Sequence, residues 1–297
     1  MGKRLRAKTQ ERPARVAEET PPAEGGGRRA RLFAVIGGVV IVCVIVGGLA
    51  AALLRGGGGA SENPTLKAAI VDQLSAKTPN QSFVDDTTAT LEDAGYAVDY
   101  YPGESVTVQA YRDLATHGYD LIIVRAHSAV PNKDLTLPPN ADPAVVSRVM
   151  GEIGDDVLLF TSERYNPDNY LDDQRGLRLF PVVYAGEPMS DIYFAVATGF
   201  VTSNMKGGFD STTIVLMGCS SLSTEKTAAA FVDRGASSVI GWSDTVSPEH
   251  TDAATERLAG YLAKDGLSPA EAVDRVNAEL GPDPSYGAVM KAYPAAE

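Results

Sequence analysis

The sequence has little cysteine: two residues, Cys43 and Cys219, in 297. Cys43 sits in an uncharged apolar run, so the rest of the chain holds one thiol, and an internal disulfide framework is excluded there. Histidine is equally scarce, at three residues, His117, His127 and His250. None stands at metal-ligand spacing from another ligand, and no glycine-rich phosphate loop appears, so no metal and no cofactor are expected. Tryptophan occurs once, as Trp242. Basic residues are depleted from most of the chain. Residues 1–31 carry nine basic against four acidic groups and Arg55 adds one more positive charge, so residues 56–297 hold −18 of an overall net charge of −12. Such a surface repels a phosphate backbone, which excludes nucleic acid as a partner, and it suits a basic substrate or partner better.

One long uncharged run is present. Leu32–Leu54 is 23 residues without a charge. At about 1.5 Å per residue it spans roughly 30 Å of hydrocarbon as a helix, with every backbone polar group satisfied inside it. The run is longer than the apolar core of a cleavable signal peptide. Basic residues crowd its N-terminal flank, which predicts a single-pass protein of the cell membrane with a cytoplasmic N-terminus and an extracytoplasmic C-terminal domain. The organisation expected is therefore a disordered basic tail over residues 1–31, a transmembrane helix over 32–54 in contact with the lipid bilayer, a flexible Gly-rich linker over 55–63, and one folded domain over 64–297.

Within that domain, short apolar strands alternate with helical segments. Strands are predicted over Lys67–Val71, Tyr96–Tyr101, Leu121–Val124, Asp156–Thr161, Leu179–Tyr184, Ile214–Met217 and Ser238–Trp242. Helices are predicted over Ser82–Ala94, Val106–Thr116, Ser223–Arg234 and Thr251–Lys264, with a last one opened by Ser268-Pro-Ala-Glu271. That last start carries Ser at the N-cap, Pro at N1 and Glu at N3, a capping-box pattern. The runs Leu121–Val124 and Ile214–Met217 are continuously apolar, as expected of strands covered on both faces. The alternation predicts an α/β domain with a mainly parallel sheet, whose site lies beyond the carboxyl ends of the strands. The Pro- and Asn-rich stretch Pro131–Pro143 reads as a loop.

Two strands end in chemically capable residues: Val124-Arg125-Ala126-His127-Ser128 and Leu216-Met217-Gly218-Cys219-Ser220-Ser221. If both strands run parallel, His127 and Cys219 emerge at one sheet edge, where the imidazole can serve the thiol as base or hold it as a thiolate. Gly218 allows a tight turn, and the N–H groups of Cys219 and Ser128 are candidates for an oxyanion hole. A helix following Cys219 would favour an anion there through its dipole. His250 reads as a helix-start residue, His117 as an exposed turn residue, Glu163 as a loop residue, and Ser220 and Ser221 as helix-entry residues.

The stretch Ile214–Leu280, with Met217-Gly218-Cys219-Ser220-Ser221, the helix Ala228–Asp233, Gly235-Ala-Ser-Ser-Val-Ile-Gly-Trp242, Asp244 and the Ser268-Pro-Ala-Glu-Ala272 start, resembles the C-terminal half of caspase-like (clan CD) cysteine peptidases, nearest the CHAT and separase types. The run ending in His127 is similar to that family's strand-then-histidine motif. The resemblance implies a three-layer α/β/α fold and a His127/Cys219 catalytic dyad acting on a peptide or protein substrate. It also implies a pocket near Trp242 in which Asp244 receives a basic side chain before the cut bond. The chain departs from the family in lacking Gln-Ala-Cys-x-Gly, in carrying Ser128 where the histidine is usually followed by glycine, and in the long His127-to-Cys219 interval, read as an insertion covering the site. The rival expectations are a catalytically silent binding or sensor module of the same fold, and another thiol enzyme such as an acyltransferase.

Overall fold

The computed structural model describes residues 66–134, 142–184, 186–188 and 190–294. The expected tail, membrane helix and linker lie outside these residues, as do residues 135–141 of the expected Pro- and Asn-rich loop. Among the described residues, no helix is long and apolar enough to cross a membrane.

The ten strands are β1 (Leu66–Asp72), β2 (Tyr96–Pro102), β3 (Leu121–Arg125), β4 (Ser128–Ala129), β5 (Leu158–Arg164), β6 (Leu179–Val182), β7 (Tyr193–Val196), β8 (Thr213–Leu216), β9 (Ser238–Trp242) and β10 (Met290–Tyr293) among the described residues. Six of them form one sheet in the order β10-β9-β8-β3-β1-β2. All neighbours in it pair in parallel except β10, which runs antiparallel to β9. The predicted α/β domain with a mainly parallel sheet is therefore present.

Strand periodicity explains the apolar runs. Side chains two apart share a face. Ala69, Val71, Ile122, Val124, Ile214, Leu216 and Val239 enter one core, while Ala68, Ile70, Leu121, Ile123, Val215, Ile240 and Trp242 enter the other. The helices Gln81–Asp93, Pro248–Ala263 and Pro269–Leu280 cover the second face through Phe83, Leu91, Leu258, Val273 and Val276. On the first face lie the helices Val108–Asp113, Thr198–Ser203 and Lys226–Asp233, through Tyr111, Phe200 and Phe231. The capping box read at Ser268 and Glu271 is formed, and Asn80 caps the helix that begins at Gln81.

The interval between the His and Cys strands is built differently from the sequence expectation. It holds a second sheet of order β4-β5-β7-β6, in which every pairing is antiparallel. β4, β7 and β10 were not expected. The stretch read as a loop also contains a helical turn at Pro131–Asp134, and a helix at Pro143–Ile153 follows, capped by the Asp142 side chain. The helix expected from Ser223 begins only at Lys226.

Candidate functional site

His127 follows β3 by two residues and Cys219 follows β8 by three, and β3 and β8 are hydrogen-bonded neighbours with Val124 opposite Leu216. The two residues thus lie at the carboxyl ends of adjacent parallel strands. The backbone holds these ends together tightly. A Cβ on Gly218 would overlap Ser128 Oγ and come within 2.5 Å of the Ala126 carbonyl oxygen, so only glycine admits this approach. Ser128 Oγ donates a hydrogen bond of 2.6 Å to the Cys219 carbonyl. The residues flanking His127 are therefore in direct contact with those flanking and including Cys219.

Cys219 is partly buried and its thiol faces the Val246 carbonyl at 3.6 Å. Burial pushes its pKa up, and the negative charges of Asp134 and Asp283 add to the rise. The helix-dipole expectation for Cys219 is corrected here, since six residues, 220–225, separate it from the first residue of the next helix, Lys226, and a dipole acts within the first turn. A tight turn takes the helix's place: Ser220 adopts a left-handed φ of 53°, and its N–H donates to the Asp244 carbonyl at 2.9 Å. The Cys219 backbone N–H lies within hydrogen-bond reach of its own thiol, which holds part of the rise in the thiol pKa back. The Phe160 N–H donates to the His127 carbonyl at 3.0 Å. In the antiparallel alternation this makes Ser128–Leu159 the non-hydrogen-bonded pair, with the Ser128 N–H directed away from β5.

His127 is held by groups that the sequence reading missed. Its backbone N–H donates to Gln73 Oε1 at 3.2 Å. The Gln73 amide also donates to the Tyr184 hydroxyl, and the Tyr184 ring meets the imidazole edge-on at 4.8 Å between centroids. Phe160 lies on the same ring at 5.9 Å. Burial lowers the His127 pKa, and the cations Lys77 and Arg125 lower it further. Burial thus disfavours the charged form of each group, the thiolate of Cys219 and the imidazolium of His127.

Beneath His127 lies a buried ion network. Arg125 is 1% exposed and spans Asp72 at 2.9 Å and both oxygens of Asp252 at 2.8 and 2.9 Å, with a further bond to the Thr78 carbonyl. Asp72 ends β1 immediately before Gln73, so the network fixes both the strand bearing His127 and the residue that holds its amide. Burial raises the Asp72 pKa, against the lowering effect of Arg125. The signal in the sequence was an arginine closing an otherwise apolar strand; its acidic partners lie 53 and 127 residues away and could not be matched to it.

Asp244 stands at the end of β9, next to the Cys219 turn. Its carboxylate is exposed and meets Lys133 Nζ at 3.5 Å. The Thr245 N–H holds its pKa down, and Lys133 adds to the effect. Trp242, expected to line the pocket, is corrected to a core residue. It is 1% exposed, and its indole N–H donates to Thr251 Oγ1 at 2.8 Å. Its burial follows from strand alternation, which sends Trp242 to the same face as Ile240. Ser221 is structural: its Oγ donates to the Leu216 carbonyl and accepts from the Trp242 N–H, stitching β8 to β9. Glu163 is likewise engaged, accepting from the Val108 N–H and the Tyr170 hydroxyl. His250 packs 5.4 Å from the Trp242 ring, and His117 is exposed. Among the described residues, no group of acidic, histidine and cysteine side chains is placed to hold a metal ion.

The chain matches no model of a known protein family and no curated protein. The structure of pyridoxal kinase from Staphylococcus aureus, in complex with AMP-PCP and pyridoxal, aligns with 71% of this chain and 84% of its own at 11% identity and a TM-score of 0.26, a likeness too low to carry an argument.

Proposed function

We propose that this chain is a membrane-anchored, caspase-like cysteine peptidase that cleaves peptide bonds after basic residues, tethered through residues 32–54 with the domain outside the cytoplasm. The observation that carries the reading is the joined pair of strand ends. His127 and Cys219 follow adjacent parallel strands, and the Gly218 backbone and the Ser128–Cys219 hydrogen bond lock those ends in contact. The exposed Asp244 one strand further along supports recognition of a basic side chain, since an unburied carboxylate attracts a cation without first having to be desolvated.

In this reading the Cys219 sulfur attacks the substrate carbonyl as its proton passes to His127, the neutral base. The N–H groups of Cys219 and Ser128 receive the oxyanion. Collapse of the tetrahedral intermediate breaks the C–N bond, and the imidazolium protonates the leaving amine. Water then attacks the thioester, with His127 again taking a proton, and the thiol is restored. A peptide library with Arg, Lys, Asp or Asn before the cut tests the proposal. The expectation is turnover of the Arg and Lys members, lost in Cys219→Ala and in His127→Ala. Absence of turnover, or turnover that survives Cys219→Ala, overturns it.

A second reading, a silent module of the same fold that binds basic segments, is favoured by the raised thiol pKa and by the Lys133 side chain already seated on Asp244. In that case the basic peptides bind the chain and are released uncut.

A further inference from the structure

Four neighbouring parallel strands, β9, β8, β3 and β1, end in a row at the carboxyl rim. In that order they lead into Asp244, Cys219, His127 and the segment Gln73–Lys77. The last of these opens a pocket of about 420 Å³ lined by Gln73, Lys77, Glu104, Ser162, Arg164, Tyr184 and Tyr193. It shares the Tyr184 wall and the Gln73 amide with His127.

The pocket sets two cations, Lys77 and Arg164, beside one lining carboxylate, Glu104. Lys77 Nζ lies over the Tyr184 and Tyr193 rings at 4.7 and 5.5 Å, and the Arg164 guanidinium over Tyr193 at 4.7 Å. Among the described residues, Lys77 has one carboxylate partner, Glu187 at 2.8 Å, and Arg164 has one, Asp191 at 2.9 Å. An ammonium has three N–H bonds and a guanidinium five, so among the described residues each cation has donors beyond its one carboxylate. Ser162 Oγ is buried with no hydrogen-bond partner among the described residues. Both ion pairs are partly exposed, so exchanging the Glu187 and Asp191 carboxylates for another costs little.

We infer that this pocket is a subsite for a carboxylate side chain, Glu or Asp, on the leaving-group side of the cut bond. The assignment rests on the peptidase reading only for which side of the bond it serves. Two strand spacings separate β8 from β1, roughly 10 Å, which an extended peptide covers in about three residues. With a basic residue at Asp244 and the cut at Cys219, the acid falls at the second or third position after the bond.

The test uses the full chain in detergent and fluorogenic peptides with Arg before the cut and Glu or Gln at the second and third positions after it. The Glu peptides are expected to show at least about fivefold higher kcat/KM through a lower KM, consistent with charge-assisted hydrogen bonds. The preference is expected to vanish in the Lys77→Gln/Arg164→Gln double variant and to persist in Lys77→Arg. Equal kcat/KM for Glu and Gln peptides, or a preference that survives the double variant, overturns the subsite. If no peptide is cut, the peptidase reading fails, and the subsite is judged by fluorescence anisotropy of the same labelled peptides on the Cys219→Ala chain. Tighter binding of the Glu peptides that depends on Lys77 and Arg164 then supports it, and equal Kd values overturn it.

Discussion

Ser128 and Cys219, 91 residues apart in the chain, are joined by a 2.6 Å hydrogen bond from the serine hydroxyl to the cysteine carbonyl. The hydroxyl sits where Gly218 leaves room for it, so the contact depends on a residue with no side chain. Ser128→Ala is expected to cost about 1 kcal/mol, the usual net worth of one hydrogen bond. Gly218→Ala is expected to cost about 1–3 kcal/mol from overpacking. The double substitution should not rescue it, because the Ala126 carbonyl oxygen and Ser128 Cβ would still lie within 2.5 and 2.9 Å of the new methyl group. Chemical denaturation followed by the emission of the sole tryptophan, buried Trp242, measures all three variants; full rescue in the double variant would refute the steric account.

Arg125 carries two buried carboxylates. Removing it in Arg125→Met strands Asp72 and Asp252 and is expected to cost about 3–5 kcal/mol. Adding Asp72→Asn and Asp252→Asn should recover much of that loss, since it removes the stranded charges. A double-mutant cycle on unfolding free energies checks this, and independent, additive losses would contradict the network.

The pH dependence of stability follows from two opposite shifts. His127 has a lowered folded pKa, so between that value and the ordinary histidine value of about 6.5 the unfolded chain binds the extra proton, and stability falls as pH drops through this window. Cys219 has a raised folded pKa, so above the ordinary thiol range the unfolded chain loses its proton first, and stability falls as pH rises. His127→Gln should flatten the acid limb and Cys219→Ala the alkaline one. Melting temperatures measured across roughly pH 5 to 10, a range that brackets both ordinary pKa values, would show both changes.

The same shifts govern thiol reactivity. Alkylation of the resting chain by iodoacetamide at neutral pH, counted at Cys219 by mass spectrometry, is expected to be slower than that of a free model thiol. Its rate should rise to higher pH than an ordinary thiol profile. Faster labelling than the model thiol at pH 7 would mean a resting thiolate and would contradict the raised thiol pKa.

Lys133 and Asp244 form an exposed pair at 3.5 Å. Lys133→Gln is expected to change stability by less than about 0.5 kcal/mol. In the proposed peptidase it should raise kcat/KM for basic substrates by freeing the carboxylate. Unchanged kinetics would show that Lys133 does not compete for that position.

Much of the parallel sheet was legible in the chain. Leu121–Val124 and Ile214–Met217 read as buried strands because both faces of each are covered, which removes polar residues from the run. The capping box at Ser268 was legible because its partners lie three residues apart. The second sheet was only partly visible, since its pairings are antiparallel and join short strands such as β4 and β7.

Local pattern, then, determined the α/β alternation, the acidic domain and the two strand ends that bear His127 and Cys219. Only the tertiary structure decided that those ends are neighbours, that Trp242 is core, that Gln73 takes the His127 backbone N–H while Tyr184 packs on the imidazole, and that burial shifts thiol and imidazole toward their neutral forms. The reason is physical: propensity, capping and periodicity act over a few residues, whereas desolvation and the Arg125–Asp252 and Ser128–Cys219 contacts arise between groups 127 and 91 residues apart.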